Sequence, residues 1–173
     1  GVALGQSYTF RLMVDERGPE PDATQIIVQR GVIIRTELLM NWDGGGDDWP
    51  EFGRMLGGRG AQHREAQEKC FMKIDSPGHP LLASFPKEGF ELSDEFFRVG
   101  DPYSRDRVRV LFSIDTDKID LSAKPPERED QDYAMAWVRH CGRGRVFYTT
   151  IGHNPAQYWD PAMLQFHLGA AQF

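Results

Sequence analysis

The alternation of apolar and polar positions divides the chain into short extended runs, with helix starts in only two places. Residues 8–14 alternate enough for a strand, and residues 25–28 and 32–40 read as buried strands broken by Arg30-Gly31. Gly18-Pro19-Glu20-Pro21-Asp22 forms a turn or loop ahead of them. Asp43-Gly44-Gly45-Gly46-Asp47-Asp48 is an acidic loop. A glycine triplet can cradle phosphate through its amides, but the flanking aspartates repel an anion and no Lys-Ser/Thr follows to complete a P-loop. Asp48-Trp49-Pro50-Glu51 predicts a helix start, with an N-cap acid, an early proline and a glutamate three positions after the cap; Gly57-Gly58 ends that helix. Residues 69–75 predict a strand, Ser76-Pro77-Gly78-His79-Pro80 a turn, and residues 90–92 and 96–99 short strands around Ser93-Asp94-Glu95. Residues 107–114 alternate as a half-buried strand, and residues 115–132, charged and containing Pro125-Pro126, predict an exposed loop. The clearest pattern comes last. Two runs rich in β-branched and aromatic residues flank Gly142-Arg143-Gly144, a hairpin signal, and the second ends in Gly152-His153-Asn154. Asp160-Pro161 then supplies an N-cap and a first helical position for a closing helix that runs to near Phe173.

At 173 residues the chain is long enough for one domain with a proper core, and 40% apolar with 27% charged residues is ordinary for a globular protein. A net charge of −6 with scattered arginines argues against nucleic acid or an anionic membrane as the main partner. A sugar, or a neutral or cationic small ligand, fits better. No run approaches the roughly 18 apolar residues of a membrane span, and Gly1 to Gly5 lacks a signal peptide's features, as a processed chain also would. Both cytoplasm and periplasm therefore stay open. Cys70 and Cys141 follow no metal-binding spacing and read as buried small apolar residues.

Taken in order, Trp49-Pro50-Glu51-Phe52-Gly53-Arg54-Met55-Leu56-Gly57-Gly58, His63, His79-Pro80-Leu81, Asp94-Glu95-Phe96-Phe97, residues 107–115, Ala136-Trp137 and Gly142-Arg143-Gly144-Arg145-Val146-Phe147-Tyr148 to Gly152-His153 form a specific series. The series resembles the ThuA-like (trehalose utilisation) domain over residues 42–173, with residues 1–41 a divergent or truncated part of the same single domain. The resemblance implies an α/β fold: a flavodoxin-like three-layer sandwich with a mostly parallel central sheet, related to the class I glutamine amidotransferases and shortened at the N-terminus. It also implies carbohydrate metabolism, with a sugar or 3-keto sugar as ligand and a sugar oxidoreductase as a pathway partner. Family members carry a strand ending in His-Ala where this chain has Arg30-Gly31-Val32-Ile33-Ile34-Arg35-Thr36-Glu37, so one site group is absent or replaced by Thr36 or Glu37. An uncovered sheet edge would favour a homo-oligomer.

No nucleophile elbow is present, because Cys141 falls in the hairpin turn, Cys70 falls inside a strand, and there is no Gly-x-Ser-x-Gly. The candidate catalytic groups are His153, Asp94, Glu95 and His63, with Trp49, Asn154 and Tyr103 as substrate contacts. A histidine just past the carboxyl end of a strand stands where open α/β sheets bind ligands. With a neighbouring carboxylate it suits proton transfer beside a sugar ketone, where enolisation or elimination needs a base on carbon and an acid on oxygen. Two histidines and one or two carboxylates could instead hold a divalent metal, although no short ligand spacing specifies one, and no cofactor is specified. The rival readings are a non-catalytic carbohydrate-binding or regulatory module and a structural subunit.

Overall fold

A computed structural model describes residues 32–33, 50–62, 67–119 and 128–173. Strands β1 (Val32–Ile33), β2 (Arg59–Gln62), β3 (Glu68–Ile74), β4 (Phe90–Asp94), β5 (Arg98–Gly100), β6 (Arg109–Ile114), β7 (Ala134–Cys141) and β8 (Gly144–Thr149) accompany helices α1 (Pro50–Leu56) and α2 (Pro161–Gln172). Six strands form one sheet in the order β1-β8-β7-β6-β3-β4, and β2 pairs with β5 in a separate two-stranded ribbon. The predicted strands at residues 8–14 and 25–28 and most of that at 32–40 lie outside the described residues.

The expected flavodoxin-like sandwich is not what these residues form. The ladders β8-β7, β7-β6, β6-β3 and β3-β4 are all antiparallel, and the one parallel contact among the described residues is Val32–Ile33 against Val146 and Phe147. The reason is connectivity. A parallel sheet needs a crossover of a dozen or more residues between neighbouring strands, usually helical. Here β7 and β8 are joined by the two residues Gly142-Arg143, with Gly142 at φ +57°, and the described stretches between β2 and β8 contain only short 3₁₀ turns.

Each face of the sheet carries its own core. On one side Met72, Leu111, Phe112, Ala136, Val138 and Phe147 pack against α2 through Met163, Phe166 and Ala170, whose i, i+3, i+7 spacing is the inner stripe of a helix. On the other, Leu56, Val99, Tyr103, Val110, Trp137 and Tyr148 form a second cluster. Trp137 joins α1 to the sheet, stacking on Tyr148 with ring centroids 4.0 Å apart and donating its indole N–H to the Leu56 carbonyl at 2.8 Å. Together with Arg139, which donates to the Arg54 carbonyl, it satisfies carbonyls left open where α1 stops at Gly57, φ +91°. β6 is buried on both faces after Arg109, rather than half-buried as its alternation predicts, because both clusters claim it. Cys70 is buried as expected. Cys141 is exposed, since it occupies the last ladder pair beside the hairpin turn.

A buried ion pair ties β3 to β5. Arg98 donates from both terminal nitrogens to Glu68, at 2.6 and 2.7 Å, and also to the Phe96 carbonyl at 2.9 Å; both side chains are under a tenth exposed. Removing Arg98 takes a bidentate charge partner from buried Glu68, so Arg98→Met is expected to cost about 3–5 kcal/mol. Adding Glu68→Leu to that variant should recover much of the loss, as urea denaturation of both proteins would show.

Candidate functional site

β4 ends at Asp94 and β8 ends at Thr149, four strands apart in the sheet. On a flat sheet that separation is about 19 Å, whereas three extended residues cover only about 10 Å. Gly152, three residues beyond Thr149, nevertheless donates its N–H to Asp94 Oδ2, so the sheet curls to bring its two sides together at this end. Asp94 Oδ1 accepts from the N–H groups of Asn154, at 2.6 Å, and of Glu95, at 3.0 Å. The carboxylate is fully buried and takes up three backbone donors, two of them flanking His153. Gly152 sits at φ +126°, a conformation open to glycine, and this turn lets the amides on both sides of His153 face one carboxylate.

Further bonds hold the same loop. Phe97 N–H donates to Thr150 Oγ1 at 3.2 Å, Ile151 N–H donates to Thr149 Oγ1 at 3.2 Å, and Gln157 Nε2 donates to the Ser93 carbonyl at 2.8 Å. Asn154 caps the following 3₁₀ turn by accepting from Ala156 N–H at 3.0 Å, and its amide nitrogen donates to Gln67 Oε1 at 3.2 Å.

Held this way, His153 meets Glu95. Its Nδ1 lies 2.9 Å from Glu95 Oε2, a charge-pair contact made off the in-line hydrogen-bond direction. The imidazole is one quarter exposed while the carboxylate is buried, so the ring is the accessible member of the pair. The structure therefore brings together Asp94, Glu95, His153 and Asn154. His63 and Trp49 lie outside the described residues. Among the described residues no group of three His, Cys, Asp or Glu side chains is arranged to hold a metal ion.

Tyr103 goes elsewhere. It is buried beside Trp137, and its hydroxyl donates to Asp132 Oδ2 at 2.8 Å. Arg105 grips the same aspartate with two nitrogens, at 2.8 and 2.7 Å, and reaches Asp75 at 2.8 Å. Neither Thr150 nor the Glu68–Arg98 pair follows from the sequence pattern. The signal for Arg98 is a lone cation inside the apolar run Phe96-Phe97-Arg98-Val99.

The geometry defines a class first: an antiparallel-sheet domain whose strand ends are clasped around a histidine–carboxylate pair. The ThuA family model, described as trehalose utilisation, matches residues 38–173, and the chain belongs to that family. A ThuA-like protein from Bacteroides uniformis is similar in structure, with a TM-score of 0.52 and 21% identity over 72% of this chain and 50% of that one. A ThuA-like protein from Parabacteroides merdae aligns at a TM-score of 0.48 and 16% identity, over 72% of this chain and 54% of that one. This chain thus spans about half the length of both. No curated protein matches it. No described helix is long and apolar enough to cross a membrane.

Asp94→Ala would leave three buried or half-buried N–H groups without their acceptor, at about 1–3 kcal/mol each before relaxation. The expected result is a loss of at least about 3 kcal/mol, with hydrogen exchange at the Gly152 and Asn154 amides accelerating together. Burial, and then the bond to Asp132, raise the Tyr103 phenol well above its ordinary value of 10.0. Its stabilising contribution is complete below that value and is lost as pH rises above it, because the unfolded phenol ionises first. Tyr103→Phe should therefore flatten the alkaline fall in stability, as thermal melts at stepped pH would reveal.

Proposed function

We propose that this protein binds a sugar or 3-keto sugar at the exposed edge of the Glu95–His153 pair and acts on it by acid/base chemistry. The observation that carries this reading is the 2.9 Å approach of His153 Nδ1 to a buried carboxylate, on a loop whose backbone is fixed on both sides of the histidine. The family's description as trehalose utilisation supports the substrate class.

The roles follow from the surroundings of each group. The Glu95 carboxylate beside Nδ1 favours the tautomer protonated there, and in this scheme Nε2 acts as the base. A carbon next to a ketone loses a proton to such a base, and the electron pair moves onto the carbonyl oxygen as an enolate. If a glycosidic oxygen stands β to that ketone, collapse of the enolate breaks its C–O bond, and the imidazolium returns the proton to the leaving oxygen. Glu95 stabilises the imidazolium in between. Asp94 is a positioning residue in this scheme, because its oxygens accept the backbone N–H groups on both sides of His153. Asn154, with its backbone clamped and its side chain on Gln67 and the 3₁₀ turn, shapes the wall beside the histidine.

A panel of disaccharides and their 3-keto derivatives, titrated calorimetrically with products followed in the same samples, tests the proposal. His153→Ala is expected to lose about 10²–10⁴-fold in turnover while sugar binding stays within a few-fold, and Glu95→Gln to lose less. Unchanged turnover in His153→Ala would overturn the assignment. Saturable binding by the wild-type protein with no turnover would make this a carbohydrate-binding module, and silence from the folded protein would leave a structural subunit.

A further inference from the structure

The ladder register separates two ends of the sheet. Asp94, Glu68, Ile114 and Thr149 belong to the end that carries His153, whereas Arg109, paired with Val138, marks the other. The six residues of β6 put about 16–20 Å between these ends. At the Arg109 end lies a cavity of about 710 Å³, floored by the turn after β3 and walled by the end of α2. Among the described residues that line it there is no Asp or Glu side chain.

His79 and Arg109 bring hydrogen-bond donors to its lining. His79 is buried, and its Nδ1 accepts the Leu81 N–H at 3.3 Å, so the proton of the neutral ring sits on Nε2. Burial, and then the nearby Arg109 charge, hold this imidazole below its ordinary range and keep it neutral near pH 7. Arg109 donates from Nε to Ser76 Oγ at 3.3 Å, and among the described residues no carboxylate pairs with its guanidinium. Gln172 adds an amide. Phe173, Pro80 and Leu81 supply the apolar wall, and a second guanidinium, that of Arg145, stands 5.0 Å from the Phe173 ring. On a chain of net charge −6, a concavity whose described lining holds Arg109 and no Asp or Glu side chain gives an anion a local site of attraction.

We propose that this cavity binds a small molecule carrying one anionic head group, carboxylate or phosphate, on an apolar body. The head group sits on Arg109 and the His79 Nε2–H, and the body lies against Phe173, Pro80 and Leu81. Guanidinium groups suit either oxyanion through paired N–H donors, and the volume falls within the usual range for small-ligand pockets.

Calorimetric titration of the whole chain with phenyl phosphate, benzoate and inorganic phosphate tests this. Phenyl phosphate or benzoate should bind saturably, the tighter of the two identifying the head group, and inorganic phosphate should bind more weakly for lack of a body. Arg109→Gln should weaken binding about tenfold or more, whereas Arg107→Gln, exposed and outside the cavity, and His153→Ala should leave it unchanged. Phe173→Ala should remove the preference for phenyl phosphate over inorganic phosphate and supplies a second reading if Arg109→Gln folds poorly. Absence of saturable binding by either aromatic anion up to about 10 mM, or binding indifferent to both Arg109→Gln and Phe173→Ala, would overturn the proposal.

Discussion

One buried carboxylate closes this sheet. Asp94 stands at the end of β4 and accepts backbone N–H groups from the loop that leaves β8, so a single side chain joins strands that lie four places apart. Taking a carboxylate out of water is costly, and N–H donors fixed by the backbone offset that cost while keeping their geometry. Nearly everything at this end of the molecule depends on that closure. Without it the loop carrying His153 would lose the contacts that fix its backbone on both sides of the histidine.

Neighbouring acids are kept apart by giving each its own partner. Asp94 is absorbed by amides, Glu95 faces His153, and Glu68 takes both terminal nitrogens of Arg98. Arg98 also donates to the Phe96 carbonyl, so the chain between Asp94 and Arg98 is fixed at each end by a buried charge. Successive residues of this segment therefore point in set directions, and Glu95 meets a quarter-exposed imidazole from a fixed backbone. Preorganisation of that kind is what a proton-transfer site requires, since a small displacement of base or acid forfeits much of its effect.

The sequence was most legible where the signal was local. The hairpin about Gly142-Arg143, the strand through Cys70 and Met72, the Asp160 cap with Pro161, and the stop at Gly57 all formed where their residues indicated, since each depends on backbone conformation within a few positions. The sheet's direction was not legible from the family resemblance, which suggested parallel strands. The connections carried the better information: no helical periodicity separates residues 69–75 from 90–92 or 107–114, and strands without helical crossovers pair antiparallel. The Glu68–Arg98 pair was hidden for another reason. The partners are 30 residues apart, and an alternating strand pattern treats each charge as an outward position.

That His153 lies just beyond a strand's carboxyl end is correct, but the rule that singled it out belongs to parallel sheets, where all such ends share one edge. In this antiparallel sheet the edge is mixed: the ends of β4, β6 and β8 meet the beginnings of β3 and β7. Convergence there cannot follow from strand direction. It follows from curl, which shortens the distance between β4 and β8, and from the turn at Gly152, which aims the amides on both sides of His153 at Asp94. The glycine, the buried aspartate and the histidine therefore act as one device: glycine gives the turn, aspartate fixes it, and histidine is presented to Glu95 as a result. Any account of chemistry at this site has to treat that clasp as part of the site, because the position of the imidazole is decided there.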